Sequence, residues 1–255
     1  MENMTALITG AGSGIGFGVA QSLAEKGANI IITDINDEAV LSAQQKLADK
    51  GLTVQGFKLD VTNEQDLENL LAALADTRVD ILVNNAGIQH VSRLEDFPMQ
   101  VWQKIVDVLL TGPARTCKAF MPQMRENGFG RIINIGSIHG LVASPFKSAY
   151  VAAKHGLIGF SKVIALETSD TDITINTVCP AYVKTPLVEK QIKDQAQQHG
   201  ISEEDVINKI MLEPMPKKSF IDIEEICATV CFLASKEARN MTGQALVLDG
   251  GWTVK

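Results

Sequence analysis

Short, nearly continuous apolar runs recur along the chain at residues 4–9, 29–34, 54–60, 80–84, 131–135, 174–179 and 245–248. Several are dense in Ile, Val and Leu, the pattern of strands covered on both faces. Between them, residues 14–26, 37–50, 63–76 and 148–168 carry apolar positions at helical spacing with polar residues opposite. A further long helix is expected over 102–124. Strict alternation of strand and helix predicts a parallel sheet with right-handed crossovers and helices on both sides. The expectation is a single α/β domain over residues 1–255, a Rossmann fold with a doubly wound, seven-stranded parallel sheet.

The rhythm breaks once, over 183–218. Thr185-Pro186 reads as an N-cap followed by Pro at the first helical position. Gly200 ends that helix, Ser202 with Glu203, Glu204 and Asp205 opens another, and Pro214-Met215-Pro216 stops it. Two helices inserted beside the strand ends read as a substrate lid, although an inert pair of surface helices carries the same pattern.

Composition narrows the setting. A chain of 255 residues with 45% hydrophobic and 21% charged residues can bury a core without disulfide or metal staples. Lys and Arg number 23 against 30 Asp and Glu, a net charge of −7. Such a surface repels phosphate backbones, so no nucleic-acid partner is expected, and an anionic substrate needs a local cation. Cys117, Cys179, Cys227 and Cys231 lie in apolar runs without a CxxC pair, so buried reduced thiols are expected and no metal site. No apolar run is long enough to span a bilayer, and the first strand follows Met1 with no signal-peptide pattern. A cytoplasmic protein without a membrane partner is the expectation.

The first strand runs straight into Thr9-Gly10-Ala11-Gly12-Ser13-Gly14-Ile15-Gly16. Glycines there permit a tight turn, close approach of a pyrophosphate and close packing of helix on sheet, and the next helix points its first N–H groups at the phosphates. The spacing is not the strict GxGxxG fingerprint; the strand before it and the helix after it carry the reading. Asp34 ends the second strand. A carboxylate there accepts hydrogen bonds from both ribose hydroxyls of adenosine and repels a 2′-phosphate, which favours NAD over NADP. An Asp that merely caps the next turn is the plainer alternative.

Ser137 follows the fifth strand, and Tyr150 and Lys154 stand at i and i+4 on one helix face. A phenol beside an ammonium is expected to have a lowered pKa and to take an alcohol proton, while a serine hydroxyl holds the substrate oxygen as hydride leaves the carbon. Tyr-x-x-x-Lys alone is a weak signal; with the glycine turn and Asp34 it becomes a specific one.

With these motifs the chain resembles the short-chain dehydrogenase/reductase family over essentially its whole length. The resemblance implies catalysis by Ser137, Tyr150 and Lys154, with Tyr150 and Lys154 also touching the cofactor. It implies a cofactor site of Thr9, Gly10, Ser13, Gly14, Ile15, Gly16, Asp34, Asp60, Val61, Asn85, Ala86, Gly87, Pro180, Val183 and Thr185. Two positions depart from the family pattern: Leu109 stands where an Asn is usual, and Ala181 where a Gly is usual. Within the family the nearer likeness is to members acting on (R)-3-hydroxybutyrate, carried by residues 84–90, 135–153, 185–192 and Gly250-Gly251-Trp252. That likeness implies a carboxylate held by Gln89, His139, Lys147 and Gln191, with Tyr182 and Trp252 completing the substrate pocket around Ser137 and Tyr150. The residues themselves agree: Gln89 lies just past the fourth strand, His139 just past Ser137, and Lys147 just before Tyr150. Each alone also fits a structural or surface role.

Three readings follow. The first is an NAD-dependent dehydrogenase interconverting (R)-3-hydroxybutyrate and acetoacetate, a small anionic hydroxy-acid and keto-acid pair of ketone body metabolism. The second is a reductase of another substrate, such as a 3-oxoacyl thioester or a polyol. The third is a dinucleotide-binding sensor without turnover. The resemblance also implies a homotetramer built on the helices 102–124 and 148–168 and the last strand.

Overall fold

The computed structural model describes residues 1–254. Seven strands form one parallel sheet in the order β3-β2-β1-β4-β5-β6-β7. They are β1 (Thr5–Thr9), β2 (Asn29–Asp34), β3 (Val54–Lys58), β4 (Ile81–Asn84), β5 (Phe129–Ile135), β6 (Asp172–Pro180) and β7 (Ala245–Leu248). Alternate side chains of each strand enter opposite cores. Ala6, Ile8, Ile30 and Ile32 face one side, and Leu7, Ile31, Leu82 and Ile132 face the other. The first core is closed by α1 (Gly14–Glu25), α2 (Asp37–Ala48) and α9 (Ile223–Ala234). The second is closed by α3 (Glu64–Ala73), α4 (Met99–Val106), α5 (Gly112–Glu126) and α6 (Ser148–Glu167). The strand order reverses between β1 and β4, so the crevice at the carboxyl ends of these two strands is where ligands of open α/β sheets bind.

The helix expected over 102–124 is not regular. Between α4 and α5, residues Asp107–Thr111 form a π-turn, with the Gly112 N–H bonded back to Asp107. The cause is Pro113: it has no N–H to give the Leu109 carbonyl, and its ring crowds that carbonyl in α geometry. The widened turn keeps the helix continuous while Leu109 stays buried.

The break over 183–218 is a pair of helices, α7 (Pro186–His199) and α8 (Glu203–Val206), the latter extended by a π-turn at Ile207–Met211. Thr185 caps α7 through Val188 N–H, Gly200 closes it at φ 64°, and Ser202 caps α8 through Asp205 N–H. Val188, Ile192, Val206 and Met211 form a small core of their own beneath these helices. All four cysteines are free and buried. No helix among the described residues is long and apolar enough to cross a membrane.

Candidate active site

The loops leaving β1, β2, β4, β5 and β6 converge on one cavity of about 410 Å³. On the β1 side its wall is the glycine turn, through Gly10, Ser13, Gly14 and Ile15. Gly10 sits at φ +62°, and a Cβ there would come 2.7 Å from the Ala86 Cα. Any side chain would force the turn away from the loop after β4. A Cβ at Gly14 would meet nothing nearer than Thr185 at 3.7 Å, and would project into the space between turn and α7. Ser13 makes no side-chain cap, and the first turn of α1 holds no acidic residue. Free N–H groups at the start of a long helix suit an anionic diphosphate.

Asp34 closes the far end of the turn. Its Oδ2 accepts the Gly12 N–H and its Oδ1 the Asn36 N–H, both at 3.1 Å. The carboxylate is thereby fixed, with lone pairs left to accept from a diol. Asp60, Val61, Asn85, Ala86, Gly87, Pro180, Val183 and Thr185 also line the cavity. Asp60 Oδ1 accepts from the Thr62 N–H and hydroxyl at 2.9 and 2.7 Å, which shapes the adenine-side loop. This donor set fits a dinucleotide.

Thr9 and Gly16, expected as cofactor contacts, are not among the residues that line the cavity. Thr9 Oγ1 accepts the N–H groups of Asn85 and Ala86 at 3.0 and 3.1 Å. The Asn85 amide donates to the carbonyls of Thr9 and Gly10 at 3.0 and 2.9 Å and fills the space a side chain at Gly16 would need. Both residues tie the β1 turn to the β4 loop.

Ser137, Tyr150 and Lys154 meet in the middle of the cavity. Ser137 ends the β5 loop, where its Oγ accepts the His139 N–H at 3.2 Å. Lys154 is buried and donates from Nζ to the Ile135 carbonyl at 2.6 Å, with Nζ 5.6 Å from the Tyr150 ring centre. Burial pushes the Tyr150 phenol up to about 12, against the lowering effect of its Ser137 partner, and pushes the Lys154 ammonium down to about 8. The sequence-based expectation that the ammonium holds the phenol low is therefore not met in the chain alone. Desolvation outweighs it, and Lys154 spends a hydrogen bond on Ile135.

Beyond the triad lies a buried polar cluster. Lys147, 5% exposed, comes from the loop before α6, whose preceding residue Phe146 is held at φ 65°. Lys147 Nζ lies 3.3 Å from His139 Nε2 and 3.1 Å from the Tyr182 hydroxyl. An ammonium only donates, so His139 Nε2 must accept and its proton resides on Nδ1. Nδ1 is directed towards Val142 without a well-formed hydrogen bond. Burial first, and the Lys147 charge second, push His139 down to about 4. Trp252 packs edge-on to His139 with centroids 5.7 Å apart and lies 6.0 Å from the Tyr182 ring. Gln89 and Gln191 complete this end, so α7 already covers the cavity.

The neutral His139 has a stability consequence. It is uncharged in the fold above about pH 4 but charged in the unfolded chain below about 6.5, so protons favour unfolding as pH falls through that window. Stability is full above pH 6.5 and declines towards pH 4, by up to about 3 kcal/mol at about 1.4 kcal/mol per unit. His139→Gln should flatten this part of the urea-midpoint profile; an unchanged slope between pH 6.5 and 4 would place the sensitivity elsewhere.

Sequence motifs did not mark Leu59, Ile88, Lys104 and Val108 as cavity residues, yet all line it, as does Leu109, noted in the sequence where the family usually has Asn. Only Pro113 carried a signal, since it displaces the helix that bears Val108 and Leu109.

Residues 10–253 match a family model described as enoyl-(acyl carrier protein) reductase. The chain is 46% identical over 255 residues to a D-beta-hydroxybutyrate dehydrogenase of Rhizobium meliloti, covering 98% of this chain and 99% of that protein. The chain belongs to the short-chain dehydrogenase/reductase family. A second D-beta-hydroxybutyrate dehydrogenase, from Cupriavidus necator, is 44% identical over 257 residues and covers both chains fully. Among solved structures, an actinorhodin polyketide ketoreductase with NADPH superposes with a TM-score of 0.94 at 32% identity, covering 99% of each chain. As a short-chain dehydrogenase/reductase, the protein is an oxidoreductase, and its seven-stranded parallel sheet is the one the sequence predicts.

Proposed function

We propose that this short-chain dehydrogenase/reductase uses NAD to interconvert (R)-3-hydroxybutyrate and acetoacetate. The observation that carries the substrate is Lys147. It is a buried ammonium with no carboxylate partner among the described residues, set beside the triad in the same cavity. A buried charge of this kind is costly until an anion reaches it. A carboxylate two bonds from the reacting carbon would supply that anion, with Gln89, Gln191 and His139 lining the same cavity. The two hydroxybutyrate dehydrogenases similar to the chain support the same class.

When bound, the dinucleotide supplies the hydride acceptor or donor at the reacting carbon. Tyr150 takes the carbinol proton at its phenolic oxygen during oxidation and returns it during reduction. Ser137 Oγ holds the substrate oxygen beside that phenol. Lys154 places a positive charge under the proton transfer, and the covering helix α7 excludes water. Exposed apolar side chains support a homotetramer: on α6 Leu166 is 77% exposed and Val163 52%, and Phe232 on α9 and Val247 on β7 are exposed as well.

Cofactor choice rests on Asp34. Asp34→Ala removes the repulsion of a 2′-phosphate together with the ribose acceptors. The ratio of kcat/KM for NAD to that for NADP should fall at least tenfold; an unchanged ratio would remove the assignment. The substrate is tested by NADH formation with a panel of hydroxy acids, both enantiomers included, beside polyols and 3-hydroxyacyl thioesters. The reading requires (R)-3-hydroxybutyrate to lead the panel. Dinucleotide binding with no turnover of any of them would instead favour a sensor.

A further inference from the structure

Tyr182 stands at a junction that the hydroxy-acid reading leaves partly unused. It follows β6 at the start of the excursion, and its backbone carbonyl accepts the Ile221 N–H at 2.9 Å, which fixes the base of its side chain. Its ring is held between Trp252, at 6.0 Å with planes 32° apart, and Lys147, whose Nζ lies 5.2 Å from the ring centre. The hydroxyl oxygen takes a hydrogen bond from Lys147 Nζ at 3.1 Å.

The donor inventory decides what remains. Lys147 has three N–H groups; one goes to His139 Nε2 and one to Tyr182, and the third is open to the cavity. The Tyr182 oxygen uses a lone pair on Lys147, so its own proton must point elsewhere. Among the described residues no acceptor takes that proton, and Tyr182 lines the cavity beside Lys147 and Gln191. Two donors, one charged and one neutral, therefore face the same volume from neighbouring atoms. A carboxylate, with two oxygens, is the small ligand group that accepts from both at once.

We propose that the Tyr182 hydroxyl is a direct ligand of the substrate carboxylate, donating to one oxygen while it accepts from Lys147, and that this coupled pair selects the free acid over neutral analogues. Hydrogen bonding from the ammonium polarises the phenol and makes it a better donor. The role goes beyond walling the pocket: a phenylalanine keeps the wall and loses the donor, and a tryptophan keeps a donor but cannot accept from an ammonium. The proposal rests on the hydroxy-acid reading for its substrate, but its chemistry requires only a small carboxylate.

The test uses Tyr182→Phe and Tyr182→Trp in the full-length enzyme with NAD. For each, kcat/KM is measured on 3-hydroxybutyrate and on its methyl ester, and butyrate binding to the NAD complex is measured by calorimetry. Loss of one hydrogen bond to a charged group should lower the acid-to-ester ratio about tenfold, through KM. Butyrate binding should weaken by a similar factor in Tyr182→Phe and by less in Tyr182→Trp, which keeps a donor. An unchanged ratio with unchanged butyrate affinity would overturn the proposal, as would an equal loss on acid and ester. If the parent enzyme turned over no 3-hydroxy acid, the substrate reading would fall. Butyrate affinity would still decide the role of Tyr182.

Discussion

Tyr150→Phe is expected to bind NADH with undiminished affinity and to lose a factor of at least ~10² in kcat, the usual share of a general acid–base. The substitution keeps the ring and removes only the oxygen that Ser137 faces. Tyr150 lies in one cavity with Ser137 and Lys154, and no other hydroxyl on α6 reaches that point. Its pKa near 12 in the chain alone sets the pH profile. Oxidation needs the phenol deprotonated, so its kcat/KM should rise with pH across the alkaline range; ketone reduction needs the proton and should stay level until the pH approaches that pKa. Near-full turnover in Tyr150→Phe with NADH bound would refute the mechanism.

The neighbouring lysine should reveal what the site costs the fold. Lys154 drops from 10.5 to about 8 on folding because its ammonium is buried. A depressed lysine penalises the folded state fully below about pH 8, and the penalty disappears as pH rises to 10.5. At about 1.4 kcal/mol per unit the penalty is about 3 kcal/mol, and the hydrogen bond to Ile135 returns about 1. Lys154→Met should therefore stabilise the protein at pH 7 by about 2 kcal/mol, a rise of about 4–8 °C in Tm, while turnover collapses.

Lys147→Ala should lower kcat/KM for 3-hydroxybutyrate by about tenfold to a hundredfold, the equivalent of 1.5–3 kcal/mol for a hydrogen bond to a charged group. The methyl ester should be affected far less, since it brings no charge to that end of the cavity. His139 and Tyr182 both contact Lys147 Nζ, so losses at the three positions should not add. An equal loss on acid and ester would mean that Lys147 supports the triad, and the hydroxy-acid reading would lose its cation.

The parts legible in the sequence were those set by local rules. Ile30, Ile31 and Ile32 announce a strand buried on both faces, and they enter two different cores. Thr185-Pro186, Gly200 and Ser202 carry cap and stop chemistry that depends on a few neighbouring residues, and each caps as expected. What depends on distant residues was not legible. The contact of Lys147 with Tyr182 joins two loops that only the β5–β6 pairing brings together. The high phenol and low ammonium of the triad come from the surrounding wall rather than from the i, i+4 spacing. The π-turn at 107–111 needed Pro113 to be read as a shift of register rather than as the interior of a regular helix.

The small core under α7 and α8 makes that segment a unit that can open by itself. Val188, Ile192, Val206 and Met211 form a cluster of their own, and Tyr182, Ile207 and Phe220 connect it to the main body. Detaching the pair would leave the paired strands and both large cores intact. The free energy of such a sub-global opening is a fraction of that for complete unfolding, so amides of this segment should exchange with solvent long before those of β4 and β5. The joint is the Val183–Ile221 bridge, next in the chain to Tyr182. An acid held by Tyr182 would therefore be fastened at the hinge itself, and occupancy of the pocket would be read out as slower breathing of the whole flap.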